Sequence, residues 1–213
     1  MSGQTLHVYL EGDGQPWERG NWPATDPTTR SSVMLPLLDM DTSPSLYLGR
    51  PCYNGHAADV DCDPQLWTQA RYSDQVVGSM QAALYDFCSR FDFRQIVLIG
   101  HSGGGALALL LAERMPQTRL VITLAGNYDI DAWTNYHHYL PLNGSLNPAK
   151  RSPSGVPEWH FLAAEDSVVP PDLFLTSLKQ RAHSLVEVLP GVGHAKGWQQ
   201  IWPDILQRLE RLQ

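Results

Sequence analysis

The sequence predicts a single α/β domain, built on a mostly parallel sheet of about six strands that is flanked by helices. Short strand patterns alternate with helical patterns along the chain, which is typical of parallel strands joined by crossovers. The strand pattern at 95–99 is apolar on both faces, as in a central parallel strand. With 213 residues and 43% hydrophobic content, the chain can bury one core, which favours one domain over residues 1–213.

Six segments carry strand patterns: 6–10, 45–48, 95–99, 119–124, 158–163 and 185–189. Helical periodicity predicts helices over 74–88, with Ser73 as N-cap, and over 106–115, 171–182 and 198–212. Pro203 is a candidate break in the last helix. The segment 15–42 is rich in Pro, Thr and Asp and is expected to be a loop.

Composition and charge exclude several classes of protein. Charged residues make up 17% of the chain and the formal net charge is −7, which gives no support for nucleic acid or an anionic membrane as a partner. No stretch approaches the roughly 20 apolar residues that span a bilayer. The polar residues 1–5 do not resemble a signal peptide. A cytoplasmic location is therefore expected by default, with an exported form whose signal has been removed left open.

The three cysteines fall into two groups. Cys88 continues an apolar helical stripe and is expected to be a buried small hydrophobe. Cys52 and Cys62 share a loop rich in Gly, Asp and Pro, where they form either a disulfide, if the protein is exported, or two free thiols. No Cys-x-x-Cys or clustered His spacing accompanies them, so no metal site is predicted.

The strongest motif is Gly-x-Ser-x-Gly at Gly100–Gly104, which directly follows a buried strand and opens a helix. In that context the motif indicates a sharp turn that pushes the Ser102 side chain out of the sheet. Gly100 and Gly104 lack a Cβ and so give the turn its clearance. The alternative is a glycine-rich turn with an incidental serine. A phosphate-binding loop does not fit, because the Gly-Lys-Ser/Thr pattern is absent.

A serine nucleophile requires a base, and the base requires a third group that fixes its tautomer. Two later strands end at suitable residues: 158–163 leads into Asp166, and 185–189 leads into Gly-x-Gly-His at 191–194. These motifs, with Asp-x-Val-Val-Pro at 166–170, resemble the α/β-hydrolase family over nearly the whole chain. The resemblance implies that Ser102 is the nucleophile, Asp166 the acid and His194 the base.

Alternatives remain at two of these positions. Glu165 could be the acid in place of Asp166, whereas Asp129 and Asp131 follow a strand that is one place too early. His101 adjoins the serine but faces the wrong way to reach its hydroxyl, so it is expected to pack inside the turn.

An oxyanion hole needs two N–H donors. The resemblance implies Gly103 as one donor and Asp13 as the other, with Gly12 as the alternative to Asp13. Glu11 stands where the family usually has a histidine, so this match is partial, and a plain glycine-rich turn is the competing interpretation. We expect the Asp13 side chain to point away from the oxyanion or to bond the loop backbone.

Compared with the family, the chain starts at the strand before the oxyanion loop, so the usual N-terminal strand hairpin is expected to be missing. The segment 125–157 is too short for a cap domain and is expected to form a short lid-like helix and loop. Aromatic residues near these segments are candidates for the walls of a substrate pocket, with core packing as the alternative: Trp17, Trp133, Tyr136 and His137.

The resemblance implies hydrolysis of a carboxylic ester or related acyl bond in a small-molecule acyl substrate through an acyl-enzyme, with no cofactor. An acyltransferase, a thioesterase or a peptidase could use the same triad. A non-catalytic binding protein on the same scaffold is the alternative from a different class, and the intact order of Ser, Asp and His argues against it.

Overall fold

The computed structural model describes residues 5–212 and, apart from Thr5, the polar start of the chain considered above lies outside them. The described residues form eight strands: β1 (Thr5–Leu10), β2 (Trp17–Glu18), β3 (Trp22–Pro23), β4 (Ser45–Tyr47), β5 (Gln95–His101), β6 (Thr118–Leu124), β7 (Glu158–Ala163) and β8 (Ser184–Leu189). They also form six α-helices: α1 (Met34–Asp39), α2 (Asp74–Arg90), α3 (Gly103–Ala112), α4 (Ile130–Tyr136), α5 (Pro171–Lys179) and α6 (Trp198–Glu210).

Six of the strands form one sheet in the order β4-β1-β5-β6-β7-β8, and every neighbouring pair is parallel. This confirms the predicted single α/β domain with about six parallel strands. The chain passes from β1 outward to β4 and then returns to place β5 on the other side of β1. The carboxyl ends of β1 and β5 therefore flank the point where strand order reverses, which is where open α/β sheets bind ligands.

Each face of the sheet carries its own hydrophobic core. Helices α2, α3 and α5 pack on one face, where α3 is buried along its whole length. Helices α1 and α6 pack on the other face, where the largest buried side chains are Trp198 and Trp202. The free Cys88 is buried in the first core, as expected.

Several local predictions need correction. Helix α3 begins at Gly103 rather than near 106, because the turn after β5 leads straight into the helix. Helix α6 runs unbroken through Pro203. The apolar residues Trp202 and Ile205, on either side of the proline, are both anchored in the core. Their burial outweighs the one hydrogen bond that Pro203 cannot donate. The predicted N-cap is confirmed, since Ser73 Oγ accepts from the N–H of Val76.

The segment 15–42 is not only loop. It contains the β2–β3 hairpin and helix α1, which buries Met34 and Leu37 and is too short to show helical periodicity in the sequence. Cys52 and Cys62 form a disulfide, which decides between the two alternatives left open above. Within residues 5–212, no helix is both long and apolar enough to cross a bilayer.

Candidate active site

Ser102 lies at the turn between β5 and α3 with φ 53° and ψ −121°, a conformation that a residue with a side chain rarely adopts. Its backbone is fixed on both sides, because its N–H donates to Leu124 and its carbonyl accepts from Gly105 and Asn127. The turn also needs glycine at its ends. A Cβ on Gly100 would lie 2.2 Å from the Gly104 carbonyl oxygen. Ser102 is partly exposed at this turn.

The structure brings Asp166 and His194 together at the carboxyl ends of β7 and β8. The Nδ1 atom of His194 lies 2.7 Å from Oδ2 of Asp166, whose side chain is fully buried. The other oxygen, Oδ1, accepts from the N–H groups of Val168 and Val169 at 2.7 and 2.8 Å. A carboxylate held in this way fixes the orientation and tautomer of the imidazole.

The alternative acids lie elsewhere. Glu165 is exposed, and the structure gives its side chain no hydrogen bond or ion pair with any described residue. Asp129 is the N-cap of α4, where its Oδ1 atom accepts from the N–H groups of Asp131 and Ala132. Asp131 is ion-paired with Lys150. The geometry therefore favours Asp166.

His194 is also held through its backbone. Its carbonyl oxygen accepts from Nε2 of His101 at 2.7 Å and from Nε1 of Trp198 at 2.9 Å. Burial, followed by the nearby charge of His194, lowers the pKa of His101 to about 4, so His101 is neutral at physiological pH. His101 is buried inside the turn as expected, but no sequence pattern indicates that it contacts His194.

The relation between Ser102 and His194 is less direct than that between His194 and Asp166. Among residues 5–212, the structure has no hydrogen bond between Ser102 Oγ and the imidazole of His194. The ring of His101, which precedes Ser102 in the chain, lies 4.9 Å from the ring of His194. Such catalytic hydrogen bonds are often long in unliganded enzymes and tighten when substrate binds.

The loop after β1 lies against the nucleophile turn. A Cβ on Gly12 would lie 3.4 Å from Cβ of Ser102. The N–H of Gly12 already donates to Oε1 of Glu11, at 3.2 Å. Among the contacts within residues 5–212, neither the N–H of Asp13 nor that of Gly103 donates a hydrogen bond. Of the three candidate donors Gly12, Asp13 and Gly103, the last two therefore remain available to a ligand.

The Glu11 side chain forms hydrogen bonds at the start of helix α1. Its Oε2 atom accepts from the hydroxyl of Ser32 and from the N–H of Met34, the first residue of α1. An acidic side chain at a helix N-terminus is favoured, because the unpaired N–H groups there carry partial positive charge. The residue that departs from the family pattern thus joins the loop after β1 to α1.

Of the two alternatives expected for the Asp13 side chain, a bond to the loop backbone is not found among residues 5–212. The side chain instead forms ion pairs with Arg50 at 2.8 Å and Arg71 at 2.9 Å and accepts from the Tyr72 hydroxyl at 2.6 Å. Burial alone would raise the pKa of Asp13, but these partners outweigh it and lower the pKa to about 2. The three partners come from the irregular segment between β4 and α2, where no sequence pattern singles them out.

The predicted pocket residues have different environments. Trp133 Nε1 and His137 Nε2, both from α4 or its C-cap, lie 2.7 and 2.8 Å from the carbonyl oxygen of Val168. The polar ends of these two rings thus tie α4 to the loop that carries Asp166. Tyr136 is 55% exposed and meets the His137 ring edge-on. Trp17 lies on β2 and is 42% exposed.

The described residues contain no group of three or more His, Cys, Asp and Glu side chains that could hold a metal ion.

Comparison with known proteins gives structural matches only. No protein-family model matches the sequence, and no curated protein does. Est1E of Butyrivibrio proteoclasticus, solved with ferulic acid bound, superposes with a TM-score of 0.71 at 13% identity, over 100% of this chain and 90% of that one. An α/β serine hydrolase without a lid, XC6422 of Xanthomonas campestris, gives 0.59 at 11% identity, over 99% and 82%. The chain has the α/β-hydrolase fold.

A third structure with the α/β-hydrolase fold is the proline iminopeptidase of Mycobacterium smegmatis. It gives a TM-score of 0.68 at 9% identity, over 97% of this chain and 89% of that one. These neighbours differ in what they are named for. The α/β-hydrolase fold therefore does not by itself choose a substrate for this chain.

Proposed function

We propose that this protein is a serine hydrolase that cleaves a carboxylic ester, or a related acyl bond, through an acyl-enzyme. The observation that carries the proposal is the hydrogen bond between His194 Nδ1 and the buried Asp166, at the same sheet edge as the strained Ser102. Backbone strain at a serine is costly and is retained mainly at functional sites. A buried carboxylate bonded to a partly exposed histidine is also typical of functional sites. Nucleophilic catalysis accounts for both features.

In the proposed mechanism, Ser102 Oγ attacks the substrate carbonyl carbon while Nε2 of His194 takes the hydroxyl proton. Asp166 keeps the proton of Nδ1 in place and stabilises the imidazolium that forms. The tetrahedral oxyanion accepts hydrogen bonds from the N–H groups of Gly103 and Asp13. His194 then protonates the leaving alcohol, and a water molecule activated by the same imidazole releases the acid and restores Ser102.

The location of the donors supports this assignment. Gly103 is the first residue of α3, so its N–H lies at the positive end of the helix dipole. Gly12, the alternative donor, already bonds Glu11. The ring nitrogens of Trp133 and His137 bond the carbonyl oxygen of Val168. We therefore propose that the exposed face of Tyr136 is the part of α4 that contacts substrate. The role of Trp17 as a pocket wall stays a prediction.

The decisive experiment is labelling with a fluorophosphonate probe, in which a serine oxygen displaces fluoride from phosphorus. We expect Ser102 to carry the label, and the Ser102→Ala variant to lose both the label and the turnover of p-nitrophenyl acetate. A control variant, Ser89→Ala, removes an exposed hydroxyl near the C-terminal end of α2 and should keep both. Turnover that persists in Ser102→Ala would contradict the proposal. A panel of matched esters, thioesters and anilides then decides among esterase, thioesterase and peptidase.

A further inference from the structure

We propose that Arg50, Arg71 and Tyr72 are positioning residues for the reaction, because they hold the N–H of Asp13 in place as an oxyanion donor. We call these three residues the arginine clamp. The proposal rests on the proposed function and deepens it, since it explains how a loop without the family's usual histidine presents its donor.

The first observation is the number of contacts on one carboxylate. Arg50 Nη2 lies 2.8 Å from Oδ1 of Asp13, and Arg71 Nη1 lies 2.9 Å from Oδ2. The Tyr72 hydroxyl is within 2.7 Å of both oxygens. The side chains of Arg50 and Arg71 are both buried, with exposed fractions of 4% and 5%. The Asp13 side chain can therefore hardly move without breaking several charge-assisted bonds.

The second observation is that the backbone on both sides of the Asp13 N–H is also held. Arg50 Nη2 donates to the carbonyl oxygen of Glu11, at 3.2 Å. The hydroxyl of Tyr53 donates to the carbonyl oxygen of Asp13, at 2.9 Å. These bonds fix the two peptide units that flank the donor, so the direction of the N–H depends on Arg50, a member of the arginine clamp, together with Tyr53.

The third observation links the two proposed donors. A Cβ on Gly103 would lie 1.9 Å from Oδ1 of Asp13 and 2.4 Å from the Tyr72 hydroxyl oxygen. The clamped carboxylate therefore rests directly on the Cα atom of Gly103, the other proposed oxyanion donor. One group of side chains sets the distance between the two N–H groups that must converge on one oxygen.

Stability alone explains the cluster poorly. Burying an ion triad costs desolvation energy, and a well-packed apolar replacement is often as stable. A lone carboxylate behind an oxyanion would oppose catalysis by repulsion. Two guanidinium groups on one carboxylate reverse the sign of that local charge. The placement of the cluster behind the oxyanion loop therefore fits a role in positioning and in electrostatics.

The test compares four variants of the full chain in the hydrolysis of p-nitrophenyl acetate, the fourth being Arg71→Lys, which keeps the positive charge. Arg71→Met removes one clamp member and leaves Arg50 to compensate Asp13. Tyr72→Phe removes one hydroxyl and keeps both ion pairs. Tyr9→Phe is the matched control: it removes another buried hydroxyl bonded to an aspartate, Asp41, on the strand that leads to the loop.

We expect Arg71→Met to lower kcat about 10- to 100-fold with KM changed less than about twofold, because only the transition state has a full oxyanion. Inhibition by phenylboronic acid, which forms a tetrahedral adduct with a nucleophilic serine, should weaken by a similar factor. Tyr72→Phe should lower kcat about fivefold, and Arg71→Lys should restore part of the loss. Tyr9→Phe should match the unmodified protein in both measurements.

The outcomes separate the two proposals. If fluorophosphonate fails to label Ser102 in the unmodified protein, the proposed function is wrong and the clamp role with it. If labelling succeeds, but folded Arg71→Met and Tyr72→Phe keep the original kcat and boronic acid affinity, only the clamp role is wrong. An equal loss in Tyr9→Phe would also overturn it. Where Arg71→Met fails to fold, the kcat of Tyr72→Phe decides.

Discussion

Replacing Asp166 by asparagine tests the triad most sharply, because the structure dictates how the new amide must lie. The oxygen Oδ1 accepts from the N–H groups of Val168 and Val169, so the amide oxygen must keep that side. The amide NH2 group is then turned toward Nδ1 of His194, which lies 2.7 Å from the replaced oxygen. Nδ1 must become an acceptor, and the ring proton moves to Nε2, where it prevents the imidazole from accepting the proton of Ser102.

We expect Asp166→Asn to fold as before and to lose about 10⁴-fold in kcat, which corresponds to about 5 kcal/mol of transition-state stabilisation. The assay is p-nitrophenyl acetate hydrolysis beside a thermal melt. Glu165→Gln is the matched control, since it neutralises the adjacent carboxylate, which is exposed. The assignment would be refuted if Asp166→Asn kept more than about a tenth of the activity, or if Glu165→Gln lost as much as Asp166→Asn.

Three further predictions concern stability and covalent structure. His101 is neutral in the folded protein with a pKa of about 4, whereas an unfolded histidine binds a proton below about pH 6.5. The free energy of unfolding measured in urea should therefore fall by about 3 kcal/mol as pH drops from 6.5 to 4. In the His101→Gln variant the same pH change should lower it by less. Gly104→Ala should destabilise the protein strongly in a thermal melt, because the new Cβ would lie 2.2 Å from the Leu10 carbonyl oxygen. The control is Gly78→Ala on α2, where the nearest neighbouring atom would lie 3.9 Å from the new Cβ. This variant should be as stable as the unmodified protein or more stable. Mass spectrometry without reductant should find Cys52 linked to its partner, and two free thiols there would contradict the structure.

The sheet could be predicted because its signal is local. Each of the six strands is a short apolar segment, and apolar runs bounded by turn residues are visible in a single sequence. The turn at Ser102 was visible because its glycine motif is short and lies between a strand and a helix. The need for Gly100 is local, since its Cβ would meet the carbonyl oxygen of Gly104, whereas Gly104 is needed by its contact with the distant Leu10. Helix α1 was missed because six residues do not show a helical period.

The support of the site could not be predicted, because it depends on contacts between distant parts of the chain. Asp13 meets Arg71 across 58 positions, and the Trp133 ring reaches Val168 across 35. Neither pair of residues forms a sequence motif. The sequence around a buried loop arginine does not distinguish it from an arginine exposed to solvent. The same limit applies to His101, whose hydrogen bond to His194 spans 93 positions.

The acid and the base of the proposed triad are supported in the same way, and this follows from where they lie. Both follow the strands at one margin of the sheet, and the edge strand β8 is only partly buried, so core packing alone cannot fix these loops. In each loop one carbonyl oxygen interacts with ring nitrogens of a histidine and a tryptophan: His101 and Trp198 at His194, and His137 and Trp133 at Val168. Ring N–H groups are rigid donors that lose little side-chain entropy, so a pair of them can define a loop position that a flexible side chain could not. The imidazole and the carboxylate must each be held to within about half an ångström of their working positions if the imidazole is to take the proton of Ser102. The rings around them, which sequence patterns assign to packing or to a pocket, supply that constraint.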